Sequence, residues 1–276
     1  MAFPNLSNML FVGYMRYIQS IHEAPEHRNP DKLIRHFMPL NLRIRAAWLS
    51  KKELTRFRAD PFYYYLVART RYYDQVIADA IADDVQKVVM VGCGSDTRSY
   101  RFKDLLCAKK IRVLECDQAE AITERQQLTR RWRHLTYVEH LAIDLNDGEW
   151  PALERWIGDA KPKALVMFEG VSPYVNTVAF RHFLQTLASR LASGSHVAYD
   201  FKIKGVRDDF GREGRTEDPF RLSTSGEEAA AFHMALGLQL EHMELSAELT
   251  QRLLPNLNGH PMFVEDGLLR LRVMGA

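Results

Sequence analysis

Acidic residues recur where short apolar runs end. Glu115 and Asp117 close the run Ile111–Cys116, Asp144 follows Thr136–Ala142, Glu169 follows Ala164–Phe168, and Asp200 lies near the end of His196–Phe201. A carboxylate in such a place accepts hydrogen bonds from hydroxyls or meets a cation. The run Val88–Val91 ends instead in Gly92-Cys93-Gly94-Ser95-Asp96. Glycine there lets backbone N–H groups approach a ligand that a Cβ would hold off. A dinucleotide turn would carry a third glycine at position 97, which is Thr97. Asp96 would also set a carboxylate beside a pyrophosphate, and like charges at short range repel. Both features turn the reading from NAD or FAD toward S-adenosylmethionine (SAM), which has no phosphate. Asp117 stands 23 residues after Gly94, near the spacing at which an acid meets ribose hydroxyls. Asp144 with Leu145 suits an adenine edge and ring, and Glu169 an ammonium. Asp96 also suits a helix N-cap, and Asp144 to Gly148 is turn chemistry throughout.

These residues need a frame. From Lys87 onward, apolar β-rich runs alternate with helical segments, here Ala119–Arg131, Trp150–Ile157 and Thr177–Leu191. That pattern predicts an α/β fold with a mainly parallel sheet and helices on both faces. In such sheets the ligand lies beyond the carboxyl ends of the strands. Leu238–Leu245 and Leu268–Met274 read as two last strands, an antiparallel pair, and 202–225 as a loop or insertion. Residues 1–86 contain no convincing strand and read as a helical cap over the catalytic domain 87–276. Its helices are an amphipathic one over Phe3–Ile21, a short one over Asp31–Met38, one over Leu40–Arg58, and an aromatic-rich one over Pro61–Ala82. Asp60-Pro61 supplies the last with an N-cap and a proline at its first position.

The chain has 276 residues, enough for a full core. A formal net charge of +2 predicts no strong attraction to nucleic acid or membrane. Arg125, Arg130, Arg131 and Arg133 cluster as a solvated helix face. Three cysteines at no metal or redox spacing fit a reduced, cytoplasmic protein without a metal. No apolar run approaches the length of a membrane span.

Five elements, in order, carry a family resemblance. Val91 to Arg101 (VGCGSDTRSYR) resembles the L-G-A-G-x-D-T-R-x-Y-R motif of the leucine carboxyl methyltransferase superfamily, which includes bacterial natural-product O-methyltransferases. Ala68 to Asp74 (ARTRYYD) is similar to its A-R-T-R-F-F-D. Leu114 to Gln118 (LECDQ) resembles F-E-V-D-Q-P, Asp144-Leu145 its V-D-L, and Phe168 to Tyr174 (FEGVSPY) its A-E-G-L-L-M-Y-L. Asn29 to Arg35 further resembles its R-P-D-x-L stretch. The resemblance implies a class I methyltransferase fold and SAM as cofactor. It implies cofactor contacts at Arg69, Gly92, Gly94, Asp96, Arg98, Asp117, Gln118, Asp144, Leu145, Glu169 and Gly170. Arg69 would bind the SAM carboxylate, for which a bidentate guanidinium is well suited. Cys93, Cys116 and Ser172-Pro173 depart from the pattern, the last near the acceptor.

Methyl transfer from a sulfonium to oxygen annihilates charge, which a dry site favours. A carboxylate acceptor needs no base; for a hydroxyl the candidate bases are Asp200, Tyr174 and His22, with His27 behind them. The expected function is O-methylation of a small-molecule or carrier-bound acceptor, of the kind found in secondary metabolism. The alternatives are methylation of a protein C-terminal leucine, an NAD-dependent oxidoreductase, and a SAM-binding protein without turnover.

Overall fold

The computed structural model describes residues 8–206, 216, 218–257 and 259–275. Four helices come first: α1 (Asn8–His22), α2 (Leu40–Ala47), α3 (Lys51–Arg58) and α4 (Pro61–Ala82). Next are β1 (Lys87–Val91), α5 (Arg98–Arg101), α6 (Lys103–Ala108), β2 (Arg112–Asp117), α7 (Ala119–Leu128) and β3 (Val138–Ala142). They are followed by α8 (Pro151–Ile157), β4 (Ala164–Phe168), α9 (Thr177–Arg190), β5 (His196–Ile203) and β6 (Arg221–Leu222). The chain closes with α10 (Gly226–Met234), β7 (Leu238–Leu245), α11 (Ser246–Leu253) and β8 (Asp266–Val273).

The chain divides into two compact units. One holds the described residues of Met1–Val76, Ser95–Arg101 and Ser246–Val264; the other holds those of Ile77–Gly94, Phe102–Leu245 and Glu265–Ala276. The second contains the whole sheet, in the order β3-β2-β1-β4-β5-β8-β7, with β6 beside the end of β5. Strands β3 to β5 are parallel, and β8 runs antiparallel to both β5 and β7. The expected α/β architecture and the closing antiparallel pair are therefore present. Val88 to Val91 and Ala164 to Phe168 are buried at every position, so both faces of the central strands are covered. One face packs Val89, Val91, Val166 and Phe168 against Phe180, Phe183 and Leu184 of α9.

The helical unit is held by buried polar contacts as well as by aromatics. Asp31 is fully buried, ion-paired to Arg16, and accepts from Thr97 Oγ1 at 2.6 Å. Asn29 donates to Gln19 and to Thr70 Oγ1. Tyr63 and Tyr64 donate to the buried Glu23, which also pairs with Arg58 at 3.0 Å. Most of the tyrosines and phenylalanines of α4 are core, with Tyr65 stacked on Phe263.

Several boundaries differ from the sequence reading. The helix expected over Leu40–Arg58 is two helices, because Ser50 forms a capping box with Glu53 and starts α3 afresh. Over Asp31–Met38 there is only a 3-10 turn, Leu33–His36, which Asp31 opens by accepting from the Ile34 N–H and which ends before Pro39. Helix α7 stops at Leu128 rather than Arg131, where Thr129 Oγ1 takes the Arg125 carbonyl. Helix α11 was not expected; its Ser246 and Thr250 side chains donate to backbone carbonyls. The expected loop 202–225 carries β6; its residues 207–215 and 217 lie outside the described residues, as do Phe3 and Leu6 of the first helix.

Candidate cofactor site at the strand ends

Within the sheet unit, register alone gathers the acids. Val91 pairs with Cys116 and with Phe168, so the turn after β1 stands between Asp117 and Glu169. Asp117 pairs with Ala142, two residues before Asp144, and Phe168 pairs with Tyr199, next to Asp200. Asp144, Asp117, Gly92–Gly94, Glu169–Gly170 and Asp200 thus follow the strand order β3-β2-β1-β4-β5 along one edge.

The turn needs its glycines. Gly92 has φ +65° and Gly94 φ +36°, and a Cβ on Gly92 would lie 2.3 Å from Val171 Cγ2. Asp117 fixes the turn by accepting from Gly94 N–H at 2.9 Å, and its other oxygen accepts from Gln118 N–H at 2.9 Å. A carboxylate offers about four acceptor positions, so a half-buried Asp117 retains capacity for a diol. Asp144 accepts from Gln118 Nε2 at 3.1 Å and from Asn146 N–H. Leu145, expected against a base, is 6% exposed and part of the core. Asp200 is buried and accepts from Gly170 N–H at 2.7 Å, so β5 holds the loop that carries Glu169. Tyr174 sits on that loop, and its carbonyl accepts from Asn146 Nδ2 at 3.0 Å.

Sequence reasoning missed a buried charge cluster under this edge. Arg125, taken for a solvated residue, is 1% exposed, whereas Arg130, Arg131 and Arg133 are exposed as expected. The Arg125 guanidinium forms a two-bond pair with the fully buried Glu115 and donates to the Gly94 carbonyl at 2.9 Å. His140 Nε2 lies 3.1 Å from the same carboxylate. The sequence carried half of the signal: Glu115 lies inside an apolar run, and a buried carboxylate demands a cation, but nothing local says which one. Asn146, which joins the loops after β3 and β4 through Tyr174 O and Asn176 N–H, was also missed.

Cys93 and Cys116 are free and buried, and burial pushes both thiols up, so they stay protonated and apolar. Among the described residues no group of three or more His, Cys, Asp or Glu is placed to hold a metal, and no helix is long and apolar enough to cross a membrane.

The remaining predicted residues belong to the helical unit. Arg69, on α4, is 5% exposed, with its guanidinium 5.5 Å and 5.7 Å from the Phe62 and Tyr65 ring centroids. Asp96 accepts from Arg98 N–H at 2.7 Å and pairs with its guanidinium, so it caps α5 as the sequence allowed. Arg98 is fully buried, bound also to Asp74 and the Thr70 carbonyl. His22 is half-buried with Nε2 2.7 Å from the Ala46 carbonyl, and His27 packs edge-on to Tyr64.

A family model described as leucine carboxyl methyltransferase matches residues 16–188. The chain belongs to that family. Family membership agrees with the motif resemblance, which runs over about the same part of the chain. Relatives carry the name "Putative S-adenosyl-L-methionine-dependent methyltransferase". One from Mycobacteroides abscessus is 28% identical over 232 residues, 79% of this chain and 71% of that protein. One from Streptomyces avermitilis is 26% identical over 168 residues, 60% of this chain and 58% of that protein. The chain spans about half the length of the first such relatives it matches. Magnesium protoporphyrin IX methyltransferase from Synechocystis PCC 6803, solved with bound SAM, shares the fold with TM-score 0.50 at 14% identity, covering 99% of this chain and 100% of that one. The architecture is that of a class I methyltransferase.

Proposed function

We propose that this protein transfers a methyl group from SAM to an oxygen of a small-molecule acceptor. One observation carries the cofactor reading: Asp117, Asp144 and Glu169, at or just past the ends of β2, β3 and β4, and Asp200, level with Glu169 inside β5, surround a glycine turn. That edge repels a pyrophosphate and suits a ligand made of a ribose, an adenine, an ammonium and a sulfonium. Bound there, SAM would supply an electrophilic methyl. Asp117 would take the ribose hydroxyls, Gln118 and Asp144 the adenine edge, and Glu169 the ammonium. Arg69 is assigned the SAM carboxylate on its motif match. Asp200 is our first candidate for accepting a hydroxyl proton, ahead of Tyr174 and His22, since its carboxylate lies level with Glu169 and accepts from the Gly170 N–H of the same loop. The motif resemblance to a superfamily that includes natural-product O-methyltransferases, together with the free cysteines, supports our reading of a cytoplasmic enzyme of secondary metabolism.

Calorimetric titration of the protein with SAM and S-adenosylhomocysteine tests the cofactor. Asp117→Asn is expected to weaken both by roughly 10- to 100-fold, the loss of charge-assisted hydrogen bonds of about 1.5–3 kcal/mol. Absence of heat with either compound, or a response to NAD instead, refutes the reading. Methyl-labelled SAM incubated with a cell extract separates acceptors. Label in a solvent-extracted compound supports a small molecule; label in a protein band supports protein carboxyl methylation, which the family's description favours as second reading.

A further inference from the structure

Helix α2 is apolar on two faces, and only one is covered. Leu42 and Ala46 are buried, while Leu40, Ile44 and Trp48 are 65%, 55% and 84% exposed. Positions 40, 44 and 48 are one helical turn apart, so the three form a single stripe. Arg43 and Arg45 flank it on either side by helical geometry, and the exposed Lys51, Lys52 and Arg56 follow on α3. Residues 40–58, which span α2 and α3, contain six Lys or Arg and one acid, Glu53, a net +5 in a chain whose total is +2, and of the six Arg58 is taken up by an acid outside the segment, Glu23. Glu53 is itself taken up by the Ser50 cap. Charge that is nearly balanced over the chain is therefore segregated onto the helices that carry the apolar stripe.

We propose that this face docks on an anionic lipid surface. An exposed Trp, Ile and Leu stripe bordered by cations is what lies in a bilayer interface, apolar side down, with the cations among anionic headgroups. Three side chains and several cations supply the two signals that stable peripheral binding needs. A specific protein interface takes about 20–30 residues a side; a stripe of three apolar side chains edged by cations is narrow for one and matches the apolar side of an interfacial helix.

The test is co-sedimentation of the full chain with phosphatidylcholine vesicles and with vesicles containing about one-quarter phosphatidylglycerol, near physiological salt. Binding at least tenfold tighter to the anionic vesicles is expected, falling several-fold at about 0.5 M salt as the charges are screened. Ile44→Ser/Trp48→Ser and Lys51→Glu/Lys52→Glu should each lower it by tenfold or more. These sites are exposed, so the thermal unfolding midpoint should hold in both variants. Equal binding to neutral and anionic vesicles, or none to either, overturns the proposal. So does undiminished binding by the charge-reversed variant. Retention of the parent but neither variant on an immobilised acidic carrier protein, without vesicle binding, replaces the lipid by a protein. SAM titration of the same samples reports the cofactor reading separately.

Discussion

Gly92→Ala tests whether the glycine turn is required by geometry or merely tolerated. Two costs are expected. The backbone at φ +65° is left-handed, which costs a non-glycine residue about 1–2 kcal/mol. The added Cβ would lie 2.3 Å from Val171 Cγ2, so Val171 or the loop after β4 must move, an overpacking cost of about 1–3 kcal/mol. Together they remove about 2–5 kcal/mol from a domain whose total stability is about 5–15 kcal/mol. Urea unfolding at neutral pH followed by circular dichroism measures the loss. The two parts separate in a double-mutant cycle with Val171→Ala. Deleting the methyls relieves the clash but leaves the dihedral, giving a favourable coupling of about 1–3 kcal/mol. SAM affinity should fall in the single variant and recover in part in the double one. A Gly92→Ala protein within about 0.5 kcal/mol of the parent, with no coupling to Val171, would show that the turn is not packed as described.

Further predictions concern buried charge and protons. Arg125→Ala leaves Glu115 buried without its cation and should cost about 3–5 kcal/mol, whereas Arg125→Lys should retain part of this; denaturant unfolding of both checks it. Because Arg125 also holds the Gly94 carbonyl, the lysine variant should bind SAM more weakly than the parent even where it is fully folded. His233 is buried, its Nδ1 facing the Ala229 carbonyl and its Nε2 the Tyr199 hydroxyl, and burial lowers its pKa from 6.5 to about 4. Its folded pKa lies below its unfolded one, so the unfolded chain binds the proton first. Stability is therefore full above about pH 6.5 and declines toward pH 4 by up to about 3 kcal/mol. The unfolding free energy of His233→Phe should depend correspondingly less on pH in that window. Asp200→Asn should keep SAM affinity within a few-fold while slowing transfer to a hydroxyl acceptor by roughly 10²–10⁴-fold, measured as the single-turnover rate constant.

The alternation of apolar runs and helices determined the sheet, and apolar continuity through Val88–Val91 and Ala164–Phe168 marked its centre, because strands buried on both faces admit little else. The acids at 117, 144 and 169 were legible as strand-end residues because a carboxylate that closes an apolar run marks where the strand leaves the core; Glu115 and Asp200, buried within β2 and β5, needed the fold to supply their partners. The motif likewise pointed to the family. Other features required tertiary structure. Arg125 looked like its exposed neighbours, since only the fold brings Glu115 beneath it and makes the pair necessary. The motif from 92 to 101 read as one cofactor element, yet Gly92 and Gly94 serve the sheet unit while Thr97, Arg98 and Arg101 bind Asp31 and Asp74 in the helical unit. Local spacing fixes which residues share a strand or a helical turn. Which distant partner satisfies a buried charge is decided only when the chain closes on itself, and there desolvation makes the choice.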